Sequence, residues 1–424
     1  MTKEAVIIEA FRSPIGRAGD RGVYRAVMSP DLTVPVLKAL TRGLWTPGLI
    51  DDIITGSEGG GDVRNPAMFV GFPESVAAAG VSRTSASSAQ AIATAARYIM
   101  NDDADIMIAA GIEIFGRMMP VQPWEIGLPE APAGAQRRAR GGGPTPEQAA
   151  MQYPEGWKTA KLIPHQRPDL PDWISDLWRT ADELAQRFGI SREEADRFAL
   201  RSHEKAIKAQ DEGLFNDEIA PVTITYEDGS TEVISADQCP RRDLTRETLA
   251  ALPPYMQNGR VTAGNSGPSA DGVGLVLMAS KEKAAELGLR PLCTVRNAVA
   301  VGVDPTVMGV GPYPATEKIL KRTGMKISDF DVIEINEAFA CQVIYCAQKL
   351  GFTDKEWEKL NPKGGAIALG NPLGMSGVWQ CATIVHEMVR RDLEWGLAAT
   401  SASGGQGMAL IFQREHYPSV YGRY

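Results

Sequence analysis

The chain has 424 residues, 44 Lys and Arg against 52 Asp and Glu, and a formal net charge of −8, which argues against a nucleic-acid partner because such proteins carry a basic footprint. Hydrophobic residues make up 44% and charged residues 23%, the balance of a soluble globular chain long enough for two or three domains. No apolar run approaches the length of a membrane span, and Cys239, Cys293, Cys341, Cys346 and Cys381 lack metal-ligand spacing, so neither a membrane nor a metal site is expected.

An odd number of cysteines in a long chain fits reduced thiols and a cytoplasmic location. The N-terminus passes straight into the strand-like run Ala5–Ile8, with no signal-like segment, and Tyr421–Tyr424 is not a peroxisomal address. After residue 11 comes the turn Phe11-Arg12-Ser13-Pro14-Ile15-Gly16-Arg17, then a helix with Ser29 as its N-cap and Pro30 first inside it. Ile53–Thr55 reads as a short strand. Ala89–Ala96 is helical and almost chargeless, hence buried on all sides, and the Ser-rich turn Ser82–Ser88 stands at its N-terminus. A helix N-terminus there favours an anion or a nucleophile; taken alone, the turn reads more simply as a cap. Asp105–Gly111 is a buried strand.

From Gly116 to about Asp176 the composition turns Pro- and Gly-rich, with Arg137, Arg138 and Arg140 followed by Gly141–Gly143, as expected of an excursion from the core. Those arginines could meet phosphates, but such a cluster is more often a solvated face. A helix begins at Ser191 with a capping box to Glu194, carries the stripe Ala195, Phe198, Ala199, Ala206 and Ile207, and stops at Gly213. His203 on it reads as structural, and Cys341 and Cys346 as helix-packing residues. Val332–Ile335 is a buried strand, and Ala366–Leu369 a strand-like run opening through Gly370-Asn371-Pro372-Leu373-Gly374 into a helix. Such a turn aims backbone N–H groups and a polar side chain at a ligand; Asn371 is either a site residue or a helix cap. Strand, polar or glycine turn, and helix recur after residues 80, 335 and 369, the mark of an internal duplication.

Several stretches together resemble the thiolase family. Lys363–Gly377, KGGAIALGNPLGMSG, is similar to its G-G-A-I-A-L-G-H-P-L-G-A-S-G signature, with Asn371 at the catalytic histidine. Asn336–Ala340 is its intact N-E-A-F-A motif. Val81, Arg83, Ser87, Gln90, Ala91 and Ile92 match the segment around the nucleophilic cysteine, and Ser85 stands at the cysteine itself. Ala398–Gly407 resembles the C-x-G-G-G-x-G loop, with Ser401 at the proton-shuttling cysteine and Ser403 at the first glycine. Arg241 aligns with an arginine on the coenzyme A nucleotide. Ser266 and Gly267 fall on the coenzyme-binding segment, where Gly267 replaces a serine that meets the pantetheine arm. Leu177-Trp178 replaces a Met-Gly pair of the acyl pocket.

The resemblance implies a duplicated five-layered α/β/α/β/α fold with an inserted loop domain: residues 1–116 plus 246–280, 117–245, and 281–424. It implies no permanently bound cofactor, a coenzyme A thioester or acyl carrier as ligand, and a homodimer or tetramer, with a heteromeric partner protein as an alternative. Ser85, Asn336, Asn371, Ser401 and Ser403 are the expected catalytic positions. A serine hydroxyl needs an adjacent base, and Asn371 cannot be one. What the sequence retains is electrostatic: Asn336 and Asn371 as amide donors, and backbone N–H groups at Ser85 and Ser403 as a second oxyanion hole. Three functions follow: acyl transfer or carbon–carbon bond chemistry on acyl-CoA, an inactive thiolase-like subunit, or an acyl-CoA or acyl-carrier binding module.

Overall fold

The computed structural model describes residues 3–19, 21–25, 27–42, 47–59, 61–115 and 170–416. The arginine cluster at 137–140, the glycines at 141–143, His165 and the last eight residues lie outside the described residues.

The strands are β1 (Ala5–Arg12), β2 (Gly16–Arg17), β3 (Asp52–Gly56), β4 (Ala77–Val81), β5 (Ile106–Glu113), β6 (Val222–Thr225), β7 (Thr231–Ile234), β8 (Ala270–Ser280), β9 (Cys293–Gly302), β10 (Val332–Ile335), β11 (Trp395–Ala402) and β12 (Gln406–Arg414). The helices that shape the site are α1 (Ser29–Leu40), α2 (Ser87–Met100), α3 (Leu177–Arg187), α4 (Arg192–Asp211), α5 (Pro312–Thr323), α6 (Ala340–Lys349), α7 (Ala366–Leu369) and α8 (Ser376–Arg391).

Strand order exposes the duplication. The main sheet runs β10-β11-β12-β9-β1-β8-β5-β3-β4, with β2 paired to β8. In the first half β3 lies parallel to β5, β5 antiparallel to β8 and β8 antiparallel to β1. In the second half β10 lies parallel to β11, β11 antiparallel to β12 and β12 antiparallel to β9. The halves mirror each other and meet where Val6 pairs with Thr294 and Ile7 with Cys293. α2 feeds β5 in one half, and α8 feeds β11 in the other.

Both of these helices are sandwiched between the half-sheets. One apolar cluster joins Ala89, Ile92 and Ile99 of α2 and Val378, Ile384 and Met388 of α8 to strands of both halves. A second covers the outer face of the first half with α1, and a third covers that of the second half with α3, α5 and α6. The result is the five-layered α/β architecture.

The central layer is possible because small residues remove side chains at its crossings. A Cβ on Gly377 would stand 2.2 Å from the Ala89 nitrogen, and one on Gly111 would stand 2.7 Å from both Met375 Cα and Ser88 Cβ. Gly56 likewise faces the Ser87 backbone at 2.3 Å. The helix N-termini at Ser87 and Ser376 therefore converge.

Two local expectations are corrected. Ala366–Leu369 forms one helical turn rather than a strand. Gly364 (φ 75°) and Gly370 (φ 102°) bend the chain at both ends, and the outer edge of β10 is already taken, since Asn361 N–H donates to the Ile333 carbonyl at 2.8 Å. With no strand edge to join, the backbone closes its own bonds, Leu369 to Gly365 and Gly370 to Ala366, each at 2.9 Å. The first helix starts one residue early: Met28 is its cap and donates to Asp31 at 3.1 Å, leaving Ser29 inside the first turn.

Because backbone, not a flexible side-chain tip, opposes Gly377, Gly377→Ala is expected to lower stability by about 2–4 kcal/mol. An unchanged denaturation midpoint would show that the two helices separate at little cost.

Candidate active site

Four turns meet at the C-terminal ends of β10 and β11 and the N-termini of α2 and α8. Asn336 follows β10, and its N–H donates to the Ala399 carbonyl on β11 at 2.9 Å. Its Nδ2 donates to Asn371 Oδ1 at 3.4 Å. Asn371 Oδ1 also accepts from Ser376 Oγ at 3.3 Å. With that oxygen engaged, Asn371 Nδ2 is the group left to donate; it has no acceptor among the described residues. The Asn371 N–H is used structurally, donating to the Pro268 carbonyl at 2.8 Å. Both asparagines are buried, and the sequence-predicted pair thus forms one amide cluster.

The backbone around Gly267 backs this cluster. A Cβ there would lie 2.8 Å from the Glu337 carbonyl oxygen and 3.1 Å from Asn371 Cβ, so glycine lets the strap pass close behind Asn371. Ser266 is buried and its hydroxyl donates to the Thr262 carbonyl at 2.7 Å. Trp178 leans on Phe339 of the same N-E-A-F-A turn, with ring centroids 5.9 Å apart, and on Tyr255 at 5.1 Å. An aromatic wall therefore stands where the sequence pointed to an acyl pocket.

Ser85 sits in a strained turn. Thr84 just before it has φ 44°, a left-handed conformation unusual for a β-branched residue. Ser87 Oγ fixes this turn, accepting from Arg83 N–H at 2.9 Å and donating to the Thr84 carbonyl at 2.6 Å. The Arg83 guanidinium then reaches Gln406 at 2.8 Å and Gln90 at 3.2 Å. Gln406 closes the β11–β12 hairpin that carries Ser401 and Ser403, so Arg83 clamps the Ser85 turn to that hairpin. Ser401 is buried opposite Gly407, and Gly404 and Gly405 take left-handed φ of 76° and 79° to turn the chain. Among the described residues, neither the Ser85 hydroxyl nor the N–H groups of Ser85 and Ser403 has a hydrogen-bond partner.

No histidine, cysteine or carboxylate is hydrogen-bonded to the Ser85 hydroxyl among the described residues. His203 Nδ1 accepts from the Arg241 N–H at 3.1 Å, and His386 lies against the Ala10 carbonyl at 2.9 Å. His416 pairs with Glu394. All five cysteines are buried; burial pushes the Cys341 and Cys346 thiols up to about 12 and those of Cys293 and Cys381 well up as well. None is a thiolate near neutral pH.

Buried carboxyls support the turns instead. Glu337 accepts from Ser202 at 2.6 Å, Asn361 at 2.7 Å and the Ile367 N–H at 3.2 Å, and burial raises its pKa. A Cβ on Gly365 would meet this carboxyl at 2.2 Å. Glu334, two residues before Asn336, is also raised by burial and by Glu337. Glu113, at the end of β5, accepts the N–H groups of Gly374 at 2.9 Å, Gly59 at 3.1 Å and Glu58 at 3.2 Å; it holds the turn that follows Asn371. Glu113 and the Arg83–Gln406 clamp were not singled out from sequence. A lone charge closing the apolar run Ile106–Ile112 was the available signal for Glu113. Asn336 Oδ1, Glu334 Oε1 and Thr84 Oγ1 are among the buried atoms without a partner among the described residues, which is costly, and a ligand or water received at these turns would satisfy them.

Family models describe the whole core: the thiolase N-terminal domain matches residues 5–282 and the thiolase C-terminal domain residues 289–414. The chain belongs to the thiolase family. It is 37% identical over 422 residues to the 3-ketoacyl-CoA thiolase of Aliivibrio fischeri, covering 97% of this chain and all of that one. Against the beta-ketoadipyl-CoA thiolase of Pseudomonas aeruginosa it is 38% identical over 427 residues, with 98% and 100% covered. Human mitochondrial 3-ketoacyl-CoA thiolase superposes with a TM-score of 0.81 at 31% identity, covering 97% of this chain and 99% of that one. Within this thiolase scaffold the described helices include none long and apolar enough to cross a membrane.

Glu113 gives the thiolase turn a pH signature. Burial, opposed by the Gly374 N–H bond, lifts its carboxyl from 4.5 to about 7. The folded state then binds a proton more tightly than the unfolded chain, so this contribution is complete below about pH 4.5 and is lost as pH rises through about 7. The destabilisation caused by Glu113→Gln is expected to shrink by roughly 3 kcal/mol between pH 5 and pH 8. Parallel stability–pH curves for the two proteins would contradict this.

Proposed function

We propose that this thiolase-family chain binds an acyl-CoA thioester with its carbonyl oxygen on the Asn336 and Asn371 amides, and acts on it by stabilising negative charge on that oxygen. The observation that carries this reading is the amide pair itself: Asn336 Nδ2 and Asn371 Oδ1 at 3.4 Å, with Asn371 Nδ2 left to donate. Two fixed donors in a buried setting stabilise an enolate or tetrahedral oxyanion by several kcal/mol, because they need no reorientation as charge develops. The ligand class follows the relatives, whose names specify CoA thioesters, and the human thiolase solved in complex with CoA, which matches with a TM-score of 0.80 over 97% of this chain.

Ser85, Asn371 and Ser401 stand where the family's reactive cysteine, histidine and cysteine are expected. With no thiolate and no base on Ser85, the donor set favours non-covalent carbon–carbon bond chemistry through a thioester enolate over acyl transfer. The missing base also supports a second reading, a catalytically inactive thiolase-like subunit that holds acyl-CoA for a partner.

Infrared difference spectroscopy of carbonyl-labelled acetyl-CoA bound to the full chain separates these. The thioester stretch is expected to move to lower frequency on binding, and to return towards its free value in Asn336→Ala, with turnover of any acyl-CoA substrate falling about 10²-fold. Binding without a spectral shift leaves only the inactive subunit. Intact-protein mass spectrometry supplies the other control: an acyl adduct lost in Ser85→Ala would replace the non-covalent mechanism with acyl transfer through Ser85.

A further inference from the structure

The amide pair leaves one hydrogen-bonding group unmet, and its kind restricts the ligand. Asn371 Oδ1 takes two donors, Asn336 Nδ2 at 3.4 Å and Ser376 Oγ at 3.3 Å. Asn336 Oδ1 is left buried with no donor among the described residues, on a residue only 1% exposed. Neighbouring donors are already spent. The Asn336 N–H goes to the Ala399 carbonyl at 2.9 Å, and Gln380 Nε2 serves the Glu334 and Ala399 carbonyls, each at 3.2 Å. The Thr400 hydroxyl donates to Gln380 Oε1 at 2.5 Å. Turning both carboxamides over only exchanges the roles: Ser376 Oγ then donates to the Pro372 carbonyl at 3.3 Å, and Asn371 Oδ1 becomes the free oxygen. In either setting the pair offers several N–H donors and one bare acceptor.

A thioester carbonyl fills donors but not that acceptor, because its oxygen has lone pairs only. A second keto group does no better: the 3-ketoacyl chain in the relatives' names would set one acceptor against another. A hydroxyl supplies what is missing, since its O–H donates while its oxygen still accepts. The carbon that bears it follows from the carbon–carbon chemistry proposed for the site, which breaks the bond between C2 and C3 of the acyl chain. A C3 that carries a hydroxyl leaves as a carbonyl with no nucleophile attacking it. The electron pair of the broken bond stays on C2 as the thioester enolate, the hydroxyl gives up its proton as the C3–O bond becomes C=O, and the enolate takes up a proton at C2. One proton leaves and one enters, so no oxidant, reductant or free coenzyme A is consumed. A 3-keto carbon has no such exit. It must first be attacked by a nucleophile, and the Ser85 hydroxyl has no base hydrogen-bonded to it.

We propose that the thioester received here carries a hydroxyl on C3, and that Asn336 Oδ1 accepts its O–H while the thioester carbonyl takes N–H donors of the pair. The substrate class is therefore a 3-hydroxyacyl thioester rather than a 3-ketoacyl one. This deepens the acyl-CoA reading and rests on it for the thioester. Selectivity arises because a ligand without the hydroxyl leaves a buried acceptor unpaired, the condition under which a site separates ligands that differ by one hydroxyl.

Calorimetric titration of the full chain with butyryl-CoA, acetoacetyl-CoA and each enantiomer of 3-hydroxybutyryl-CoA tests this. One enantiomer of 3-hydroxybutyryl-CoA is expected to bind roughly tenfold or more tighter than butyryl-CoA and acetoacetyl-CoA. In Asn336→Ala that advantage is expected to collapse towards parity. Release of acetyl-CoA and acetaldehyde from the favoured enantiomer, lost in the same variant, is expected alongside. Equal binding of the thioesters by the wild type, or tighter binding of acetoacetyl-CoA, would overturn the inference whether or not the variant folds. It would place a water on Asn336 Oδ1 and leave the acyl-CoA reading intact. A preference for the hydroxyl that survives in Asn336→Ala would overturn it too, by locating that contact elsewhere. So would acetyl-CoA formed from acetoacetyl-CoA and added coenzyme A, because that cleavage needs a nucleophile. Failure to bind any of these thioesters would remove the acyl-CoA reading, and this inference with it.

Discussion

The site depends on two helices packed so closely that no side chain fits between them. Gly377 of α8 meets Ala89 of α2 backbone to backbone, and Gly111 and Gly56 clear the same space from the strands. Each helix begins at a turn that carries a candidate site residue, Ser85 before α2 and Asn371 before α8. Drawing the helix axes together thus brings two turns that are nearly 290 residues apart in sequence onto one floor. The mirrored strand order explains why this works: both turns are the same element of a duplicated unit, and the pseudo-symmetric packing of α2 on α8 superimposes their ends. The cost of glycine in a helix is about 1 kcal/mol, small beside the strain of forcing a side chain into that crossing.

Electrostatics holds the segment between α4 and β6 against this frame. Glu218, on that segment, is fully buried between Arg12 of the first half at 2.8 Å and Lys363 of the second at 2.5 Å. Burial alone would raise its carboxyl, yet Lys363 and Arg12 hold it below its ordinary range. Asp237 adds a paired contact to Arg12 at 2.7 and 3.0 Å. Removing any one member would strand a buried charge, which costs more than the pair itself contributes. Lys363 also opens the segment that leads to Asn371, so the cluster fixes the start of that segment while Glu113 fixes the turn beyond it.

Much of this was legible in the sequence because it is local or because it repeats. The chargeless stretch Ala89–Ala96 announced a buried helix, and the capping box at Ser191 and Glu194 placed α4 with its cap bond of 3.1 Å. Asn336 and Asn371 were marked by their turns. What escaped were features decided by partners far along the chain. Ala366–Leu369 has a strand's composition, but the edge it would join is occupied by Leu360–Asn361. Arg83 was visible as a motif residue, whereas its bond to Gln406 spans 323 positions.

The chemistry follows from what the scaffold keeps and what it leaves unmet. Thr84 at φ 44° is strained, and the Thr84 hydroxyl, Asn336 Oδ1 and Glu334 Oε1 are buried without partners among the described residues. Each costs the folded state of order 1–3 kcal/mol. An abandoned active site has no reason to retain them, since substitution by apolar residues of similar shape would relieve the cost. A site that still receives a polar ligand does, because the ligand supplies the missing partners and recovers that energy on binding. Three of the nine partnerless atoms among the described residues, with the strained Thr84, lie around Ser85 and Asn336, the other six elsewhere in the fold; at these turns a bound thioester, as proposed, would recover that energy.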